Sequence, residues 1–161
     1  MIEVEIDSGD VQKVVKRMTR FDRNARKGVQ REVKHSAFRI QARARRLLRV
    51  QGAIFTGRLR SSINIRYTRD GLGAVIGTNV NYAGAVEFGR EPGSWPPVGA
   101  MIEFVRKKIV ARPKKLVNQI AYLIGRKIFR EGTEARPYLF PAGRQEWPRF
   151  KRNIYKVLKM S

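Results

Sequence analysis

At 161 residues the chain is long enough for one domain with a modest core, and a hydrophobic content of 42% is too high for a disordered polycation. With no cysteine and a single histidine, His35, it has neither a disulfide framework, nor a thiolate zinc site, nor a histidine cluster within one chain. The formal charge of +22, from 35 Lys+Arg against 13 Asp+Glu, attracts polyanions or acidic partners and opposes self-association of a bare subunit.

That charge is unevenly spread. Residues 1–60 carry 16 basic and 6 acidic side chains, residues 61–99 carry 3 and 3, and residues 100–161 carry 16 and 4. A neutral centre lies between two basic arms. The start, MIEVEIDSGD, is acidic and alternating, unlike a signal peptide, and no apolar run approaches the roughly 18 residues that span a bilayer.

In chain order, Ile2, Val4 and Ile6 alternate with Glu3, Glu5 and Asp7, which predicts a short strand. Ser8 or Asp10 can cap a helix striped by Val11, Val14, Val15 and Met18, ending near Phe21 before a break at 22–24. A long helix over about 25–50 follows, with Val29, Val33, Ala37, Ile40, Ala44 and Leu47 as its apolar stripe. Gly52 ends it, and QGAIFTG reads as a loop.

Ser62–Tyr67 alternates as a strand, Asp70–Gly73 is a tight turn, and Ala74–Thr78 is the return strand. GLGAVIG is spaced G-x-G-x-x-x-G and leads into no helix, so it reads as this hairpin and not as a dinucleotide loop. NYAGAVEFG predicts a short helix closed by Gly89. REPGSWPP, with three prolines, is a stiffened loop carrying Trp95. Helices are expected over about 98–110 and 113–130, the second striped by Leu116, Ile120, Leu123, Ile124 and Ile128. Arg136–Pro141 reads as extended, and a terminal helix over about 143–159 presents Trp147, Phe150, Ile154, Tyr155 and Leu158.

Candidate chemistry is sparse. Glu87 could act as a general base, but no His, Ser or second carboxylate stands at helical spacing from it, which favours a structural acceptor beside Gly89. His35, among basic residues in mid-helix, reads as a surface or satisfied side chain. Arg39, Arg43, Arg46 and Arg49 share one face of the long helix, and between Arg31 and Arg60 the only acid is Glu32. The face is either merely solvated or a contact for DNA or an acidic protein; Glu32 reads as too far up the helix to neutralise it. Trp95, Tyr138, Phe140 and Trp147 stand beside Pro or Gly, where core packing and interface anchoring are both open. Trp95 is evenly balanced between them; of Tyr138 and Phe140, one should face the core and the other a neighbour or solvent. Catalytic, metal and cofactor residues: none are identified.

Three motifs in order then resemble a known family. They are Thr56, Gly57, Leu59, Ser62 and Ile63; Tyr82, Ala83, Val86, Glu87, Phe88 and Gly89; and Arg136, Pro137, Tyr138, Leu139, Pro141 and Ala142. Over roughly residues 25–160 the chain resembles the tailed-bacteriophage head–tail connector, or tail-completion (neck), family typified by the tenth gene product of phage HK97. The resemblance implies an α+β fold, with long N-terminal and C-terminal helices packed on a small antiparallel sheet with a hairpin. With no internal repeat and no linker long enough to divide domains, the chain reads as a single neck domain over 1–161, with 98–130 as a helical insertion between the motifs. The resemblance also implies a structural virion protein without enzymatic activity, in a ring, a hexamer being favoured, at the head–tail junction. DNA would pass through the ring, and head-connector and tail-tube or tail-terminator proteins would adjoin it, with no membrane involved. Arg90 departs from the small residue that many relatives carry after EFG. A sequence-independent nucleic-acid-binding protein is the alternative reading.

Overall fold

The computed structural model describes residues 2–6, 9, 23–52, 57–108 and 113–159. The helix expected over about 10–21, with its Ser8 or Asp10 cap, and Thr56 lie outside the described residues. The elements are β1 (Ile2–Ile6), α1 (Arg23–Val50), α2 (Arg58–Ser62), β2 (Asn64–Tyr67), β3 (Ala74–Thr78), α3 (Ala83–Phe88), α4 (Val98–Lys108), α5 (Lys114–Glu131) and α6 (Leu139–Lys159). Helices joined to a small sheet of order β1-β3-β2 make the α+β class expected from sequence. The chain divides into two compact units, each built from separated segments.

One unit, the hairpin unit, comprises Glu3–Arg45, Ile63–Gly77 and Leu139–Ser161. β2 and β3 pair antiparallel with Tyr67 opposite Ala74 and Ile65 opposite Ile76. Thr68–Gly73 closes the hairpin, a loop wider than the expected turn at 70–73. The Asp70 carboxylate accepts from the Thr68 hydroxyl and the Leu72 N–H, and these bonds hold it below the usual carboxylate range. Buried Ala25, Val29, Val33, Ala37, Ile40 and Ala44 recur every three or four residues, so α1 presents one continuous apolar stripe. At its C-terminal end the buried residue is Leu48, not the expected Leu47. Gln41 and Arg45 both donate to the Ile63 carbonyl, at 2.7 and 2.9 Å, and fasten α1 to the root of the hairpin.

α6 begins at Leu139, so Phe140 and Pro141 are helical and not extended. Proline costs nothing in a first turn, where its missing N–H would have no intrahelical acceptor. Leu139, Ala142, Glu146 and Phe150 form its buried edge. α1 and α6 approach closely at Gly28, where a Cβ would stand 2.6 Å from Val157 Cγ1.

The second unit, the motif unit, comprises the first two residues, Arg46–Ser62 and Thr78–Tyr138. Gly57, at φ 78°, starts α2, a helical turn that the alternating pattern of its neighbours concealed. The Ser62 and Thr78 hydroxyls hydrogen-bond at 2.6 Å. α4 and α5 pack as a pair around Val105, Val117 and Ala121, flanked by Met101, Ile120 and Ile124. Leu123, expected on this stripe, is 60% exposed, because Val117, Ala121 and Gly125 set the buried line one position away.

Candidate functional site

The motif unit joins two sequence motifs at the backbone level. α3 ends at Gly89, whose φ of 79° turns the chain sharply. A Cβ there would stand 2.8 Å from the Thr133 carbonyl oxygen and 2.9 Å from the Ala135 nitrogen, so only glycine allows the two segments to touch. Beyond it Arg90 and Thr133 exchange both backbone hydrogen bonds, at 2.9 and 2.8 Å, and the Arg136 N–H donates to the Val86 carbonyl at 2.7 Å. Glu87 is buried, and its carboxylate accepts the Tyr138 N–H at 2.9 Å. Tyr138 is itself fully buried, and its hydroxyl has no hydrogen-bond partner among the described residues. Burial first, and then the Glu87 charge and Tyr82, raise that phenol well above its ordinary pKa, so it stays neutral. An acid committed to a backbone donor under a neutral phenol is a fastening and has no free proton-accepting face toward solvent.

Around this clamp the other motif residues take varied places. Leu59 is buried, Tyr82 half-buried, and Arg136 and Pro137 exposed, with the Pro137 carbonyl accepting from Gln51 at 3.0 Å. Phe88, at the clamp's outer edge, is 65% exposed. Pro141 is half-buried in the hairpin unit, where Phe140 is exposed. A cavity of about 430 Å³ opens beside the clamp, lined by apolar Val86, Pro96, Met101 and Ile128 and by polar or charged Tyr82, Arg90, Lys127, Thr133, Glu134 and Arg136.

Trp95 stands on a loop held from within by Arg90, whose guanidinium donates to the Trp95 carbonyl at 2.8 Å. Its ring lies 5.6 Å from both Tyr122 and Phe129, and it covers Gly125, where a Cβ would meet the indole at 3.2 Å. All three rings remain substantially exposed, Trp95 41%, Tyr122 59% and Phe129 40%. Tyr122 and Phe129 were not singled out from sequence, although their i, i+7 spacing places them on one face of α5.

The four arginines of α1 do not act alike. Arg39 donates to Glu146 at 2.7 Å and also to Glu32 and Ser36, so it is neutralised, and Glu32 does reach it from two turns away. Glu146, a lone acid in a basic helix, sits in the apolar register of α6 and is 2% exposed, a signal that the sequence reading passed over. Burial alone would push the Glu32 carboxyl up; hydrogen bonds from Asn153, Arg39 and Ser36 and the Arg39 charge outweigh it and hold the group below its ordinary value. Arg43 is half-buried, while Arg46 and Arg49 are exposed, as is His35. Among the described residues no His, Asp and Glu cluster suits a metal, and no helix is long and apolar enough to cross a membrane.

A family model, HK97-gp10-like, described as "Bacteriophage HK97-gp10, putative tail-component", matches residues 12–89. The match takes in the whole of α1, α2, the hairpin and α3, and ends at the Gly89 turn. No curated protein and no solved structure matches the chain.

Proposed function

We propose, from the match of residues 12–89 to the family described as "Bacteriophage HK97-gp10, putative tail-component", that the chain is a subunit of a ring that closes the head–tail junction of a virion. In this reading the whole of 1–161 serves as one neck domain, with 98–130 as its helical insertion. The ring is a hexamer, DNA passes through its lumen, and head-connector and tail-tube or tail-terminator proteins adjoin its two sides. The protein is made in the host cytoplasm and works in the virion, without catalysis.

The observation that carries the proposal is the exposed aromatic cluster of Trp95, Tyr122 and Phe129, beside a clamp that uses its one buried acid on a backbone N–H. An aromatic on a fixed loop packed against two aromatics of one helix face makes an anchor suited to a protein interface. Cyclic assembly uses two different patches of each subunit, so one such cluster per subunit can serve every joint.

The test is an averaged reconstruction of the virion neck, together with native mass spectrometry of the purified chain mixed with its tail-tube neighbour. The expected result is a closed ring whose subunit density fits this chain. A neck without density for it, or a chain that stays monomeric with every neck neighbour, overturns the proposal.

A further inference from the structure

Residues 139–161 contain one acid, Glu146, and it is buried against Arg39 and Ser36. The six cations of the same segment, Arg144, Arg149, Lys151, Arg152, Lys156 and Lys159, are all exposed. By helical phase Arg144, Lys151, Arg152 and Lys159 lie opposite the buried edge of Leu139, Ala142 and Phe150, while Lys156 and Arg149 flank it. Two rows of i, i+4 neighbours run along this face. One is Arg144, Pro148, Arg152, Lys156; the other is Trp147, Lys151, Tyr155, Lys159. The Lys151 ammonium lies 5.9 Å from the Trp147 ring centroid, and Tyr155 is 68% exposed. Pro148 belongs to the solvent side, so the Arg144 carbonyl that it leaves without an intrahelical donor can be hydrated.

We propose that this face of α6 binds the phosphate backbone of duplex DNA without sequence preference. Its 21 residues span about 31 Å at about 1.5 Å per residue, close to the roughly 34 Å of one turn of B-form duplex. Phosphate contact requires only a density of positive charge, and it is the contact that carries no sequence information. A protein partner would require a desolvated apolar centre from which charge is depleted. Here charge is enriched and the two rings are separated by Lys151. An anionic lipid surface would require several aliphatic side chains on the wetted face to insert between headgroups. Contacts of this kind are salt-labile and let a protein slide, so they hold DNA without stopping its passage. The proposal rests on the charge pattern of α6 and not on ring formation, and it is tested on the chain alone.

The full-length chain is titrated against two unrelated 30-base-pair duplexes at a series of NaCl concentrations, with fluorescence anisotropy as readout. Both duplexes should bind equally, with a linear dependence of log affinity on log salt. Arg144→Gln, Arg152→Gln and Lys156→Gln together should reduce the magnitude of that slope by about 2.5 and the affinity at 0.1 M salt at least about tenfold. Lys114→Gln, Lys115→Gln and Arg126→Gln on α5 remove the same charge and should change the affinity less than about threefold. On the unsubstituted chain, DNA should protect Lys151, Lys156 and Lys159 from acetylation, a readout independent of whether the α6 variant folds. Equal losses from the two triple variants, an absence of protection, preference for one duplex, or tighter binding to phosphatidylserine vesicles than to DNA would each overturn the proposal.

Discussion

The Glu87 carboxylate and the Tyr138 backbone N–H meet at 2.9 Å across a sequence separation of 51 residues. This contact ties the helix of the EFG motif to the ARPY strand-like segment in the core of the motif unit. Glu87→Gln keeps an acceptor oxygen and loses only the charge, so it should cost about 1 kcal/mol. Glu87→Ala leaves the Tyr138 donor buried and unpaired and should cost about 1–3 kcal/mol. Urea denaturation of both variants measures the difference; a Gln variant as damaged as the Ala variant would mean that the charge, and not the acceptor, matters. Discovery of a substrate whose conversion depends on Glu87 would remove the structural reading altogether.

Gly89 and Gly57 share a left-handed backbone, at φ 79° and 78°, but differ in surroundings. A Cβ on Gly57 meets nothing within 4 Å, whereas on Gly89 it would strike the backbone of Thr133 and Ala135. Gly57→Ala should therefore cost only the conformational penalty, about 1–2 kcal/mol. Gly89→Ala adds a clash with immovable backbone and breaks the Arg90–Thr133 pair, so its cost should exceed that of Gly57→Ala by about 2 kcal/mol or more. Equal thermal shifts in the two variants would show that the two segments can part without penalty.

The Glu32–Arg39–Glu146 network predicts a pH dependence and a double-mutant result in the hairpin unit. The folded-state pKa of Glu32 lies below its unfolded value. Its contribution to stability is therefore complete above the ordinary carboxylate range near 4.5 and is lost as pH falls through the lower folded value. Denaturation midpoints should decline below about pH 4.5 in the natural chain and decline less steeply in Glu32→Gln. Arg39→Met leaves Glu146 buried beside no cation and should cost about 3–5 kcal/mol, while Arg39→Met with Glu146→Leu should recover most of that loss. Recovery of nothing would show that Glu146 is held by other groups. In either case Arg39 acts through the fold, so a particle-joining defect in an Arg39 variant would not report a contact with DNA or a neighbouring ring.

Legibility in the sequence followed the range of the forces involved. The α1 stripe, β1, the hairpin strands and the Gly89 stop depend on local periodicity and on glycine, and all were readable. α2 was not, because a single turn started by Gly57 has no period to show. The α6 start was placed too late, because Pro137 and Pro141 suggested extended chain, yet Pro141 falls in a first turn that tolerates it. Arg39 looked like a free charge because its partner Glu146 is 107 residues away, and only the α1–α6 packing brings the two together. The clamp had the same character: Glu87, Gly89, Arg136 and Tyr138 were legible, but Thr133 was not, and neither was the pairing of the two segments.

The exposed aromatic cluster yields the prediction most directly tied to assembly. Trp95 covers Gly125 and contacts two rings, so Trp95→Ala should both lower stability, by about 1–2 kcal/mol for the partly buried indole, and impair assembly. A defect in that variant alone would be ambiguous. Tyr122 separates the two effects, because it is 59% exposed and contributes its outer surface to no described core cluster. Tyr122→Ser loses its ring contact with Trp95 and should lower the unfolding free energy of the isolated chain by no more than about 1 kcal/mol. The same variant should weaken ring formation at least about tenfold, the loss expected when an interfacial tyrosine anchor worth over 1 kcal/mol is truncated. Native mass spectrometry of assembled rings and counting of joined particles by electron microscopy supply the readouts. Normal ring yield with normal joining would show that the cluster is only a surface packing feature, and the interface would have to lie elsewhere on the subunit.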